Sequence, residues 1–564
     1  MEKIIVSWAD EEGSCYRFFR FLEFMAFNVY EMVFEFKNSS IILNGMDASR
    51  IMVIEAELDV EMTPKVFPPQ RIAFNLEDFR NKVETKSKRC KLELRFVKDP
   101  YWVVEIRKID KKTTSSTLNA IDLETESIPM ENLKQIEYPT IFKVKPFIIE
   151  EIFKKAIAFS EILTIGADDN LVSFSSYGQI GHMEYSIPTR DLKGDSPSFS
   201  VSSYSLSFLM SLKGGKYQKG RSTRKANFLD VFEDDDEIKF ELKTDHPLKM
   251  TLRVRKLGLK AIWFLAPRVE EADYFEDDYG LSDTAKGVLR MIQNKRIING
   301  RELSLNVPTI EYNGGDGVYY FMNLINYLRK NIDEGKFVFS KEKMSLLSIN
   351  DSKTMLMSIT KDLDISYPER IERGVVLEDL WKVLVTKKAF KRNLRIEFGK
   401  SFFKIIETRR NDRTKIETIL DTIDMESGVD SEMVDILEEK KYGISFQISE
   451  EILEDIWYET GVFSDVSEII ADKKGLRFRE SGQIGFGEYF IPYDELISYE
   501  RKRNVSSAYK IELLKSGINE AIKGLGSDNF WISLPQDDLM KLEIYDDKLD
   551  MDFLIYLANW EEDW

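Results

Sequence analysis

Gly178-Gln179-Ile180-Gly181-His182-Met183-Glu184-Tyr185-Ser186-Ile187-Pro188 returns as Gly482-Gln483-Ile484-Gly485-Phe486-Gly487-Glu488-Tyr489-Phe490-Ile491-Pro492, 304 residues later. Four further matches keep the same order. Leu76-Glu77-Asp78 returns as Leu377-Glu378-Asp379, and Ile121-Asp122-Leu123-Glu124 as Ile423-Asp424-Met425-Glu426. Val201-Ser202-Ser203 returns as Val505-Ser506-Ser507, and Leu265-Ala266 as Leu557-Ala558. The offset holds near 300 until the last match, where it falls to 292. The drop lies where the first copy carries the Lys-, Arg- and Gly-rich stretch Lys213–Asp230 and the second is shorter. Five ordered matches at one spacing read as an internal duplication.

The bulk properties agree with a multidomain chain. It has 564 residues, several times a domain of about 150. Hydrophobic residues make up 43% and aromatics 12%, enough to fill ordinary cores and to exclude wholesale disorder. Two cysteines cannot form a disulfide framework. The N-terminus turns acidic at Asp10 before a signal-type apolar run develops, and the apolar stretch Phe21–Phe36 is broken by Glu23, Asn28, Glu31 and Glu35. The expected setting is intracellular and not secreted, cytoplasmic with the nucleoid or nuclear. A net charge of −18 opposes nucleic-acid binding on average, so any such binding must come from local Lys and Arg clusters.

Each copy reads as α+β. Phe18, Phe19, Leu22, Met25 and Ala26 fall at helical spacing over 14–27, and Ile149, Ile152, Phe153, Ala156, Ile157 and Phe159 over 147–163. Leu92–Phe96, Ile238–Leu242 and Leu394–Phe398 alternate with period two, as half-buried strands do. Antiparallel sheets with helices on one face are expected. Predicted helices carry Arg17 and Arg20; then Arg80, Lys82, Lys86 and Lys88; then Lys154 and Lys155. A fourth, starting near Ser203, runs into Lys213, Lys216 and Lys219. The second copy offers Arg329 and Lys330; then Lys382, Lys387, Lys388, Lys391 and Arg392; then Lys510, Lys515 and Lys523. Its helix Ser449–Tyr458 breaks the pattern, with four acids and no base. One basic helical face in an acidic protein is the expectation, against ordinary solvated faces balanced by nearby Glu.

Enzymatic chemistry is not legible. Gly215–Ser222 approaches a phosphate-binding loop but has Arg221 where lysine belongs, and it follows a helix. His182, His246, Cys15 and Cys90 are too few and too scattered for a zinc site. Glu233–Glu237 reads as a solvated acidic turn. No catalytic residue, metal or cofactor is expected, and the chain is not expected to be an enzyme.

Asn44–Ile51, with Met46-Asp47-Ala48-Ser49-Arg50, resembles a loop of sliding clamps of the proliferating cell nuclear antigen (PCNA) type. Asn75–Phe79 is similar to that family's second-helix start, and Ile121–Glu124 with Ile128-Pro129 and Tyr138 to its connecting loop. Trp263-Phe264-Leu265-Ala266-Pro267-Arg268 is similar to its C-terminal signature. The resemblance covers residues 1–271; the second copy is more diverged, with Ile349–Lys353 at the first loop and Asn559 in place of proline. It implies a DNA-clamp fold duplicated in tandem: four clamp domains, sheets outside and helices lining a DNA channel. The expected limits are 1–120 and 139–271 around a connecting loop at 121–138, a linker at 272–301 with one short helix, then 302–422 and 441–564 around a loop at 423–440.

The implied function is that of a polymerase processivity factor encircling duplex DNA without reading sequence. The basic helical residues above would meet phosphates. Polymerase, ligase, nuclease and clamp loader would be the partners, docking by peptide into a pocket of Met46, Ile51, Val53, Ile128, Pro129, Trp263, Ala266 and Pro267. Docking is expected to be strong on the first copy and weak or altered on the second. Six domains close a family ring, so four need another clamp subunit, or a second copy of this chain in a wider ring. The alternative is a checkpoint-type or scaffold protein that binds partners without serving a polymerase.

Overall fold

The structure is a computed structural model. It describes residues 2–8, 14–26, 29–37, 39–63, 70–84, 90–98, 101–109, 113–121, 130–192, 199–210, 216–219, 222–225, 232, 236–268, 307–313, 316–384, 392–399, 401–409, 415–425, 431–525, 530–536 and 538–560. The chain forms two compact units: Met1–Gly300 with Asp412–Lys415, and Arg301–Asn411 with Ile416–Trp564. The expected linker and its short helix lie outside the described residues.

The helices of the first unit are α1 (Ser14–Met25), α2 (Leu76–Val83), α3 (Met130–Lys134), α4 (Pro146–Ala156) and α5 (Leu206–Met210). Those of the second are α6 (Asp316–Asn331), α7 (Leu377–Leu384), α8 (Ser431–Glu438), α9 (Glu450–Glu459) and α10 (Ile511–Leu514). A π-helical turn, Lys515–Asn519, joins α10 to α11 (Glu520–Leu525).

In the first unit an eight-stranded antiparallel sheet is made continuous by one pairing, Leu259–Leu265 against Met52–Leu58. The second unit repeats that seam with Asp552–Leu557 against Met355–Thr360. Alternation along Leu259–Leu265 sends Trp263 to the helix side, where its ring meets Phe24 of α1 edge-on at 5.3 Å. Ile262 and Phe264 take the opposite face. Around Phe34, the rings of Phe74, Phe79 and Phe96 fill the core between α2 and the sheets.

The repeated segments Gly178–Pro188 and Gly482–Pro492 form the turn and second strand of the same hairpin in each copy. Gly178 pairs with Gly181 and Gly482 with Gly485, with the rest of both hairpins in matching register. A Cβ on Gly178 would stand 1.7 Å from the carbonyl oxygen of Phe159, and one on Gly482 1.8 Å from that of Phe463. Backbone approaches backbone there, so only glycine fits.

The first loop is also built twice. Asp47 accepts hydrogen bonds from the amides of Ser49 and Met52, and Arg50 takes a left-handed φ of 59°. Asn350 accepts from Thr354 and Met355, and Lys353 takes φ 56°. The side-chain amide oxygen of Asn350 does the work of the Asp47 carboxylate, which is why the divergent sequence keeps the turn. Ile121 N donates to Ala73 O, and Ile423 N to Gly374 O, where the connecting segments leave their sheets.

Several element limits differ from the sequence reading. α4 ends at Ala156 rather than near 163, because the chain turns at Phe159 to bring its carbonyl against Gly178. Ser200–Ser205 is a strand, so the fourth helix starts at Leu206 and not at Ser203. Residues 216–219 and 222–225 pair as a two-stranded ribbon, Lys216 opposite Lys225 and Tyr217 opposite Arg224. A phosphate-binding loop needs a strand, loop and helix, and this ribbon does not supply that order.

Candidate partner-docking and nucleic-acid interface

On the outer face of the first sheet, Val53, Met130 and Phe264 form a buried apolar cluster, with Met46, Leu133 and Ile262 packed around it. Met130 and Leu133 come from α3, and Lys134 of the same helix pairs with Glu55 of the sheet at 2.8 Å. The second unit repeats this construction. Val434 and Leu437 of α8 pack onto Leu356 and Tyr556, with Ile349 and Leu554 at the margin. At the repeat spacings the six positions correspond one to one: Met46 with Ile349, Val53 with Leu356, Met130 with Val434, Leu133 with Leu437, Ile262 with Leu554, and Phe264 with Tyr556. A short helix after the connecting segment therefore covers an apolar patch in each copy.

The expected peptide pocket is only partly assembled. Met46 and Val53 lie in the cluster. Ala266 N donates to Ile51 O at 2.8 Å, which places Ala266, Pro267 and Ile51 at the end of the seam. Ile128 and Pro129 lie outside the described residues. Trp263 is corrected: it is 0% exposed, and strand alternation turns it into the core, away from the pocket face. Phe264, Ile262, Met130 and Leu133 were missed. The signal for the first two was the alternation of Lys260-Ala261-Ile262-Trp263-Phe264, which puts Ile262 and Phe264 opposite Trp263.

The helical cations are more balanced than the sequence implied. Arg20 pairs with the buried Glu23 at 2.6 Å, Arg80 with Glu77 at 3.7 Å, and Lys154 with Glu150 at 2.7 Å. Arg329 meets Glu378 at 2.7 Å and lies over the Trp381 ring; Lys330 meets Glu520 at 3.3 Å and Lys382 meets Asp379 at 3.0 Å. Arg17 is half-buried and Lys82 exposed. Lys510 is exposed over the Trp560 ring at 4.4 Å, and Lys515, in the π turn, donates to Thr460 O at 3.4 Å.

Two expectations are corrected. Lys155 is 1% exposed, so its ammonium group cannot meet a duplex. Arg392 is not helical; it opens the strand Arg392–Phe398 and forms an ion pair with Glu407 at 2.8 Å, both side chains buried. Lys86, Lys88, Lys213, Lys387, Lys388 and Lys391 lie outside the described residues. Lys216, Lys219 and Lys523 are placed by their backbone in the ribbon and in α11.

Among the strands that end sheets are Thr113–Asn119 in the first unit and Gly485–Pro492 in the second. The second is armed with aromatic groups. Phe486 and Phe490 are 57% and 43% exposed, under the guanidinium groups of Arg479 and Arg477. Both arginines reach Glu488 at 3.1 Å. Among the described residues, no group of three or more His, Cys, Asp or Glu could hold a metal ion, and no helix is long and apolar enough to cross a membrane.

No protein-family model matches the chain. It is 24% identical over 250 residues to a DNA polymerase sliding clamp of Thermococcus gammatolerans, covering 43% of this chain and 90% of that protein. It is 26% identical over 240 residues to the DNA polymerase sliding clamp of Pyrococcus furiosus, covering 41% and 90%. Among solved structures it is similar to PCNA from Thermococcus kodakaraensis, with a TM-score of 0.39 and 19% identity over 47% of this chain and 100% of that one. It is also similar to A. fulgidus PCNA bound to the C-terminal region of FEN-1, with a TM-score of 0.39 and 14% identity over 48% and 100%. Each curated relative, nearly whole, matches less than half of this chain, which fits a chain that carries the unit twice.

Proposed function

We propose, for a chain built as two units of the PCNA-type sliding-clamp fold in tandem, that it supplies four domains of a ring around duplex DNA. In that ring it tethers replication and repair enzymes. The observation that carries this reading is the duplicated seam: one continuous antiparallel sheet per unit, helices on one face, and a covered apolar patch on the other. Such a body has an inner helical side for phosphates and an outer side for peptides. The DNA-facing set is Arg17, Arg20, Arg80, Lys82 and Lys154 in the first unit, and Arg329, Lys330, Lys382, Lys510 and Lys515 in the second. Lys86, Lys213, Lys216, Lys219, Lys387 and Lys388 belong to the set by sequence.

Ring closure needs strand edges, because an open edge with exposed apolar groups invites pairing. Thr113–Asn119 is hydroxyl-rich, while Gly485–Pro492 carries Phe486 and Phe490. Edges so different favour a second, conventional clamp subunit over self-pairing. The domain limits given from the sequence and the named partners (polymerase, ligase, nuclease and loader) belong to the same proposal. Its first test is mass in solution with the conventional clamp subunit of the same cell. A one-to-one complex of about 95 kDa, a two-domain subunit added to this chain, is the expected result. A chain that stays at 65.8 kDa with or without that subunit would overturn ring closure.

A scaffold reading has one observation behind it: α9 carries Glu450, Glu451, Glu454, Asp455 and Glu459 with no basic residue. On that reading the chain binds partner peptides but leaves polymerase extension on primed DNA unchanged.

A further inference from the structure

Beside the apolar cluster of the first unit lies a groove of about 500 Å³ on the same sheet face. Six of its lining residues are cationic and three are carboxylates. Glu241, buried, is held between Lys239 at 3.1 Å and Lys249 at 3.2 Å. Asp236 is 4.0 Å from Arg255, whose side chain is 75% exposed. Arg253 and Lys260 are exposed, have no ion pair among the described residues, and stand directly opposite each other on adjacent strands. Lys143 likewise stands opposite Lys239. Lys143 and Lys239 each hold a carboxylate, Glu237 at 3.8 Å and Glu241 at 3.1 Å, and Lys260 has Glu57 opposite it on its other side; Arg253 is left facing a like charge across the strand pair.

The second unit provides an internal control. The registers that place Leu248 opposite Leu265 and Met540 opposite Leu557 align Arg253 with Tyr545 and Lys260 with Asp552. At the same spacing Arg255 aligns with Asp547 and Lys239 with Trp531. The apolar cluster is therefore common to both units, while the cationic groove belongs to the first alone.

We propose that this groove binds an acidic peptide segment of a partner protein, its carboxylates on Arg253, Lys260 and Arg255 and an apolar side chain on Ile262. Ile262 lines the groove and also packs against the apolar cluster, which joins the two surfaces. A ligand fitted to both carries carboxylates and an apolar group on one strand of chain, which a peptide does and a phosphate backbone does not. The proposal does not depend on ring closure or on DNA.

The test uses the full chain and a fluorescein-labelled peptide, Glu-Glu-Leu-Asp-Glu-Leu-Asp-Glu, with its Gln/Asn counterpart and a 12-nucleotide single-stranded DNA as comparisons. The acidic peptide binds, and its affinity falls at least tenfold in R253E and in K260E. R253E also raises the melting temperature of the free chain by about 1–2 °C, since it places a carboxylate opposite Lys260, whereas K260E sets a carboxylate opposite Glu57 and is read by binding alone. The rise shows that lost binding is not lost folding. The double variant R253E/K260E restores the like-charge cost and still fails to bind. Equal binding of the amide peptide, acidic-peptide binding unchanged in both single variants, or preferential oligonucleotide binding that R253E removes would each overturn the proposal.

Discussion

Arg392 and Glu407 form an ion pair inside the second unit, both side chains buried. Two charges out of water attract strongly, yet each has lost its hydration, so the pair adds little net stability over a well-packed apolar pair. Removing one partner is different, because it strands the other. Arg392→Met is expected to cost about 3–5 kcal/mol by leaving Glu407 buried and unpaired. The double variant R392M/E407L is expected to lie within about 1–2 kcal/mol of the parent. Urea unfolding of the full chain separates the two. A single variant as stable as the double would contradict the account. Arg392 also marks the limit of reading charge from sequence: after Lys387, Lys388 and Lys391 it looked like one more cation of a basic helix. Nothing in its neighbours announced that Glu407, on the next strand, would take it inside.

At the scale of elements, the hairpin with Gly482 at its turn owes its position to a backbone contact. A methyl group there would enter the carbonyl oxygen of Phe463, which precedes the neighbouring strand Val466–Ala471. Gly482→Ala is expected to destabilise the second unit by about 1–3 kcal/mol, and Gly178→Ala the first by a similar amount. Calorimetry of the full chain reads each variant as a lowered melting temperature, and a variant as stable as the parent would count against this packing.

The same elements measure how much was legible. The duplication and the alternating strands followed from repetition and period-two patterning, because those signals are local; the loop at Asp47 and Asn350 came through the family resemblance, and the hairpins at Gly178 and Gly482 were not read. The covering helices α3 and α8 did not. Met130-Glu131-Asn132-Leu133-Lys134 is too short for a helical period to register, and its apolar residues gain meaning only from Val53 and Phe264 far along the chain. Trp263 was misplaced because a family signature names residues without saying which face each one takes. The ion pairs of the helical cations were likewise invisible, except where both partners lie on one turn, as Lys154 and Glu150 do.

Across the whole molecule, in each unit the duplicated seam is accompanied by a covered apolar patch. The two copies differ here mainly in charge: Arg253 and Lys260 in one, Tyr545 and Asp552 in the other. A tandem chain can therefore present two related docking surfaces with different preferences while closing a ring through one fixed partner. On the helical face proposed to meet DNA, many described cations already hold a carboxylate. The grip must then be loose, and retention on DNA must come from enclosure rather than from affinity. That is the central claim, and end-blocked DNA tests it most directly. The chain and its ring partner are threaded onto linear duplex, the ends are blocked with streptavidin, and the complex is washed at high salt. The account predicts retention on blocked duplex and loss from the same duplex with free ends. Loss from both, or retention on both, would contradict it.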